Sequence, residues 1–186
     1  MTEFFNNLNL INSLSENAQS DLITKLKRAE YQKGEILIKE LSKCDHLFFI
    51  EKGLARARYF KDGRDITDWF AGEGSVIGPI IRHLPIKIGT HDVELLEDTS
   101  VITIHFQDLQ ELYDKHHEIE RLGRIIAIQA VFLLQQKIDS IQFFTAKQRY
   151  NEFVKANPTL LQRVSLGHIA SYLGMNQVTL SRIRKK

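Results

Sequence analysis

Four side chains near the end of the chain, Gln177, Val178, Ser181 and Arg182, have the types and spacing to read base-pair edges. On one helix, positions i, i+1, i+4 and i+5 share a face. Gln can pair bidentately with adenine and Arg with guanine, while an apolar Val suits a thymine methyl. Ser165, Asn176, Thr179 and Lys185 are expected at phosphates, contacts that fix register without specifying sequence.

Such a reading requires two short helices crossing at a steep angle, and residues 165–184 meet each requirement. Ala170 is the small residue needed where the second helix crosses the first, and Gly174, four places later, tolerates the positive φ of a tight turn. Ile169, Leu173, Met175, Leu180 and Ile183 are spaced to bury an apolar stripe, and Asn176 is a good N-cap for the second helix. Any one of these signals is weak; together they predict a helix-turn-helix rather than an ordinary helical hairpin.

Charge points the same way. From residue 145 onward the basic residues are Lys147, Arg149, Lys155, Arg163, Arg182, Arg184, Lys185 and Lys186, opposed only by Glu152. That segment carries +7, and the +2 of the whole chain leaves −5 for residues 1–144. A basic end on an acidic body is the asymmetry expected of a chain that meets a polyanion.

The elements that must position this end fall into three regimes. Residues 1 to about 30 have helical spacing at Leu14, Ala18, Leu22 and Leu26, with Ser15 a candidate N-cap. From Tyr31 to about Phe106, short apolar runs alternate with turn signals such as Lys33-Gly34, Lys52-Gly53 and Asp62-Gly63, which predicts many short strands in a sandwich or small barrel. Beyond Gln107 the helical period returns and persists. A helix from Glu118 to Ile138, about 30 Å long, would either pack on the chain's own β-domain or present Leu122, Ile125, Ile126, Gln129, Phe132 and Leu133 as a dimerisation seam, the reading preferred here. A shorter helix, 147–156, then ends at Asn157-Pro158.

Several function classes are disfavoured. No apolar run approaches the roughly 20 residues that span a bilayer, and the start has no basic leader segment, so a cytoplasmic protein with no membrane partner is expected. The lone Cys44 cannot supply an iron–sulfur cluster or an internal disulfide. A metal-dependent cupin-type enzyme would place two or three His and a carboxylate inward on neighbouring strands. His46, His83, His91 and His105 form no close His-x-His pair. No catalytic residues, metal site or cofactor are evident, and an enzyme is not expected. A module that uses the basic C-terminal hairpin to bind protein or RNA is the other alternative.

In the order β-domain, long helix and helix-turn-helix, the chain resembles the cyclic AMP receptor/fumarate-nitrate regulator (Crp/Fnr) family over almost its whole length. Lys33-Gly34-Glu35-Ile-Leu-Ile-Lys-Glu40 resembles the family's early barrel strand and turn. Phe48-Phe-Ile-Glu-Lys-Gly53 resembles its next hairpin, and the stretch from Gly174 to Ile183 its recognition helix. The resemblance implies an α+β fold: an N-terminal cupin-like antiparallel β-barrel like a cyclic nucleotide-binding domain (1–117), a dimerisation helix (118–141) and a helix-turn-helix domain (142–186). With Lys186 directly after the recognition helix, no β-wing is expected.

The ligand cassette departs from the family pattern. Gly78 matches the glycine that opens it, but Pro79 stands where cyclic-nucleotide binders have a ribose-holding Glu, and Gly89-Thr90 where they have Arg followed by Ser or Thr. Cyclic nucleotide is therefore disfavoured. Arg82 and Lys87 lie nearby, so Gly78, Arg82, Lys87, Gly89 and Thr90 are the candidate pocket for an unidentified small-molecule effector. The partners expected are double-stranded DNA with a palindromic operator and a second copy of the chain, with RNA polymerase a further candidate. Val178, where many relatives carry a cytosine-reading Glu, implies a different operator.

Overall fold

The computed structural model describes residues 2–78 and 91–185, with the side chains of Thr2 and Glu3 left aside. Two helices, α1 (Thr2–Ile11) and α2 (Glu16–Lys25), lead into the strands β1 (Lys27–Tyr31), β2 (Ile36–Ile38), β3 (His46–Lys52), β4 (Ala55–Lys61), β5 (Arg64–Ala71), β6 (Val76–Ile77), β7 (Asp92–Leu95) and β8 (Thr99–His105). Ser15 caps α2 by accepting a hydrogen bond from Ala18 N–H, the role its position suggests. The strands form two four-stranded antiparallel sheets, ordered β1-β8-β3-β6 and β2-β7-β4-β5.

The expected barrel is thus a sandwich of two open sheets. Phe48, Ile50, Ala55, Val93, Leu95 and Val101 meet between them, as period-2 alternation requires. The Asp62-Gly63 hairpin closes β4 on β5 with Lys61 opposite Arg64. Both central residues have positive φ, 52° and 72°, the turn whose twist matches the flanking strands.

Helices α3 (Phe106–Lys115) and α4 (His117–Phe143) pack with α1 and α2 on the outer face of the first sheet, around Phe49, Ile102, Ile104, Leu109, Ile119 and Leu122. Only the first turns of α4 are buried. Beyond Ala127 its large apolar side chains are uncovered in the single chain, while Lys137 is bound to Asp68 of β5. The remaining elements, α5 (Ala146–Ala156), α6 (Leu160–Arg163), α7 (Leu166–Tyr172) and α8 (Gln177–Arg184), form a third core around Phe153, Leu160, Ile169, Leu173 and Leu180. Thr145 and Gln148 make a capping box that starts α5 sharply after α4 ends.

Candidate nucleic-acid interface

The turn between α7 and α8 is set by backbone hydrogen bonds. Met175 N–H donates to Ala170 C=O and Gly174 N–H to Ser171 C=O, both at 3.0 Å, with Gly174 at φ +65°. This Schellman arrangement satisfies the last carbonyls of α7 and redirects the chain. Ala170 is buried where the helices approach, and Ile169 and Leu180 are fully buried beside it. Met175 and Ile183 are half-buried at the edge. The five-residue stripe read from the sequence is therefore used, most fully at its centre.

Burying that stripe turns the opposite face of α8 outward. Gln177, Val178, Ser181 and Arg182 are all exposed, Val178 at 61%. Lys185 is exposed and Thr179 half-buried. Asn176 and Ser165 are occupied locally: Asn176 Oδ1 accepts from Thr179 N–H at 2.7 Å, and Ser165 Oγ from His168 N–H at 3.2 Å. Both side chains serve as helix caps.

This unit sits on the second sheet through α7. Ser171 Oγ accepts from Thr67 N–H at 2.9 Å and donates to Asp65 C=O at 3.3 Å, satisfying backbone groups of β5, an edge strand. A helix side chain, rather than another strand, serves these groups. Phe70 of β5 meets Phe153 and Tyr172 with ring centroids 6.5 and 5.3 Å away. Beneath α7 lies Arg56, 3% exposed, which donates to Glu94, Asp65 and Thr67. A buried guanidinium requires such complete pairing. His168 faces this cluster; burial, then the Arg56 charge, lowers its pKa.

Two of the basic residues counted toward a polyanion-facing surface point inward. Arg163 is held by Glu73, Glu97 and the Gly53 carbonyl. Arg149 donates to the carbonyls of Leu173 and Phe144, tying α5 to the ends of α7 and α4. Their charge is neutralised or spent within the chain. Lys147, Lys155, Arg182, Arg184 and Lys185 remain exposed.

The expected seam on α4 divides. Leu122 is buried in the chain's own core and Ile126 packs against it, because the first turns of α4 fill the layer over the first sheet. Ile125 is half-buried, while Gln129, Phe132 and Leu133 are exposed. Val131, Leu134, Ile138 and Ile141, outside that expected set, are also exposed and follow a three-and-four spacing suited to a helix pair. That spacing was present in the sequence, but the apolar residues at 122–126 drew the register away from it.

Of the candidate effector residues, Gly78 is described, and a Cβ there would lie 2.9 Å from His46 C=O, so packing against β3 alone demands glycine. Arg82, Lys87, Gly89 and Thr90 lie outside the described residues, as does His83. His46 and His105 stack edge to face at 5.1 Å, whereas His91 sits elsewhere, near Asp68. Among the described residues no group of three His, Cys, Asp or Glu could hold a metal, and no helix is long and apolar enough to cross a membrane.

Residues 28–116 match the family model of the cyclic nucleotide-binding domain. Over most of its length the described chain has the fold of the Crp/Fnr regulators. FixK2 from Bradyrhizobium japonicum aligns over 86% of this chain and 83% of its own, with 19% identity and a TM-score of 0.74. A putative Crp/Fnr-family transcriptional regulator from Eubacterium rectale aligns over 92% and 82%, with 16% identity and a TM-score of 0.70. The c-di-GMP responsive global regulator CLP from Xanthomonas campestris aligns over 92% and 90%, with 15% identity and a TM-score of 0.69. No curated protein sequence matches the chain.

Proposed function

We propose that this chain is a sequence-specific DNA-binding transcription regulator of the Crp/Fnr type that acts as a homodimer and is not an enzyme. The observation that carries the reading is the outward face of α8. Gln177, Val178, Ser181 and Arg182 stand exposed on a helix whose other face is locked into a buried core. A helix presented this way enters the major groove with its first residues at the base edges. The fold shared with FixK2 and CLP supports the reading.

The exposed stretch of α4 supports the dimer. Val131, Phe132, Leu133 and Leu134 are each at least 58% exposed, an apolar surface that a second copy of α4 would cover. Pairing there would set two recognition helices about 34 Å apart, one turn of the duplex, and the operator would be a palindrome. Selection of tight-binding duplexes from a random pool tests this. The expected product is a two-fold symmetric site with half-site centres about 10 base pairs apart; recovery of no preferred sequence would refute it.

A further inference from the structure

A cavity of about 400 Å³ lies on the outer face of the first sheet, beneath the helices and away from α8. Phe4 and Leu8 of α1, Phe49 and Ile102 of the sheet, Leu109 of α3 and Leu122 of α4 form much of its wall. Phe49 and Ile102 point into this layer, whereas their neighbours Ile50 and Val101 point into the sandwich, so most of the cavity lies outside the two sheets, with Phe48 and Gly78 at its edge. Close packing leaves few voids larger than a water molecule, and ligand sites occupy roughly 300–1,000 Å³.

Among the described residues the polar side chains of the lining are Gln110, Tyr113, Glu120 and Arg124. Gln110 and Arg124 are exposed, which marks this side as the mouth. Tyr113 lies against Gly123, where an added Cβ would collide with the hydroxyl oxygen. Among the described residues none accepts the phenol proton. Burial, then the Glu120 charge, raises the phenol pKa, so Tyr113 is a neutral donor facing the cavity. Arg124 is held by Glu120 at 3.5 Å on the exposed helix surface, a contact that water and salt weaken.

An apolar chamber with one half-buried donor and a cation at its mouth defines the chemistry of an occupant. We propose that the cavity binds a single-chain amphiphile, with an alkyl body of roughly eight to ten carbons among the apolar walls and a head that accepts a hydrogen bond from Tyr113 beside Arg124. The site does not depend on the DNA-binding reading, because α8 contributes nothing to it. It does reach α4: the ligand would pack on Leu122 and Ile126, on the helix that carries the exposed stripe beyond Ala127.

Calorimetric titration of the full chain with decanoate and with 1-decanol tests the site. At least one of them should bind saturably, one per chain. Ala127→Phe, which fills the cavity from α4, should weaken binding roughly tenfold, and Tyr113→Phe, which keeps the ring and removes the donor, should weaken it several-fold. Decanoate carrying a diazirine in its tail provides a readout independent of how any variant folds: irradiation should label peptides of β8, α3 and the first turns of α4. Failure of both probes to bind, or labelling confined to the exposed stripe from Ile128 to Ile141, overturns the proposal.

Discussion

Arg163 grips Glu73 with two parallel hydrogen bonds, Nη1 to Oε2 at 2.9 Å and Nη2 to Oε1 at 2.8 Å, across ninety positions of sequence. The same guanidinium reaches Glu97 through Nε and Nη2, and the Gly53 carbonyl. One side chain at the end of α6 thus fastens the helix-turn-helix unit to the loops flanking β4, β5 and β7. Two bidentate carboxylates also fix its orientation, which a single point charge could not do.

Replacing Arg163 with Ala leaves Glu73 and Glu97 facing each other without their cation. The carboxylates are partly exposed, so the cost lies between those of surface and buried pairs, about 1–2 kcal/mol. Hydrogen exchange should quicken at the amides of α6 and α7, with β3 and β8 unchanged. Equal protection of α7 in both proteins would show that the clamp is idle.

Acid should loosen the seating of α6 and α7 on the sandwich in two stages, at two separate contacts. Glu73 has its pKa lowered to about 2, chiefly by the hydrogen bonds from Arg163. Its contribution is therefore complete above the ordinary value of 4.5 and is lost as pH falls toward 2. His168 has its pKa lowered from 6.5, first by burial and then by Arg56, with Arg58 adding to the lowering while Asp65 and Glu94 oppose it. Protonation of its folded form is penalised, so stability present above pH 6.5 declines as pH falls through the lowered value. Denaturation midpoints followed from pH 7 to pH 5 should drop less in His168→Gln than in the unmodified chain. Identical declines would contradict the assignment.

Gly174 isolates the effect of backbone conformation. Its φ is +65°, yet nothing lies within 4 Å of an added Cβ. Gly174→Ala should therefore lose about 1–2 kcal/mol through the left-handed conformation alone. Urea denaturation would show a lowered midpoint with unchanged slope; an unchanged midpoint would mean that the turn relaxes without cost.

A charge in the exposed stripe of α4 should disrupt assembly while sparing the fold. Leu134→Glu places a carboxylate where the helix makes no contact with its own core. Sedimentation at micromolar concentration should shift from dimer to monomer, with the circular dichroism of the monomer preserved. A stripe that tolerates the charge without dissociation is not the seam.

The features legible in the sequence are those encoded locally. Asp62-Gly63 announces a hairpin because both residues tolerate positive φ, and Ala170, Gly174 and Asn176 announce crossed helices because each serves a neighbour within six positions. Distant partners left no such mark. Arg163 reads as one more basic residue until the fold brings Glu73 beside it, and Arg149 reads as surface charge until its carbonyls appear. On α4 the apolar period continues from Ile119 to Ile141, and periodicity alone cannot tell where a helix leaves its own core. Leu122, expected at the surface of a helix pair, therefore fills the chain's own core.

The central claim is that the outward face of α8 reads duplex DNA. Fluorescence anisotropy on a selected operator, titrated over a range of salt with the full chain and with Arg182→Ala, tests it most directly. The expected result is saturable binding that weakens steeply with salt, and a loss of roughly 1–3 kcal/mol in the variant together with relaxed preference at one base position. Binding that is absent at low salt, or that is identical in affinity and base preference for the two proteins, would contradict it.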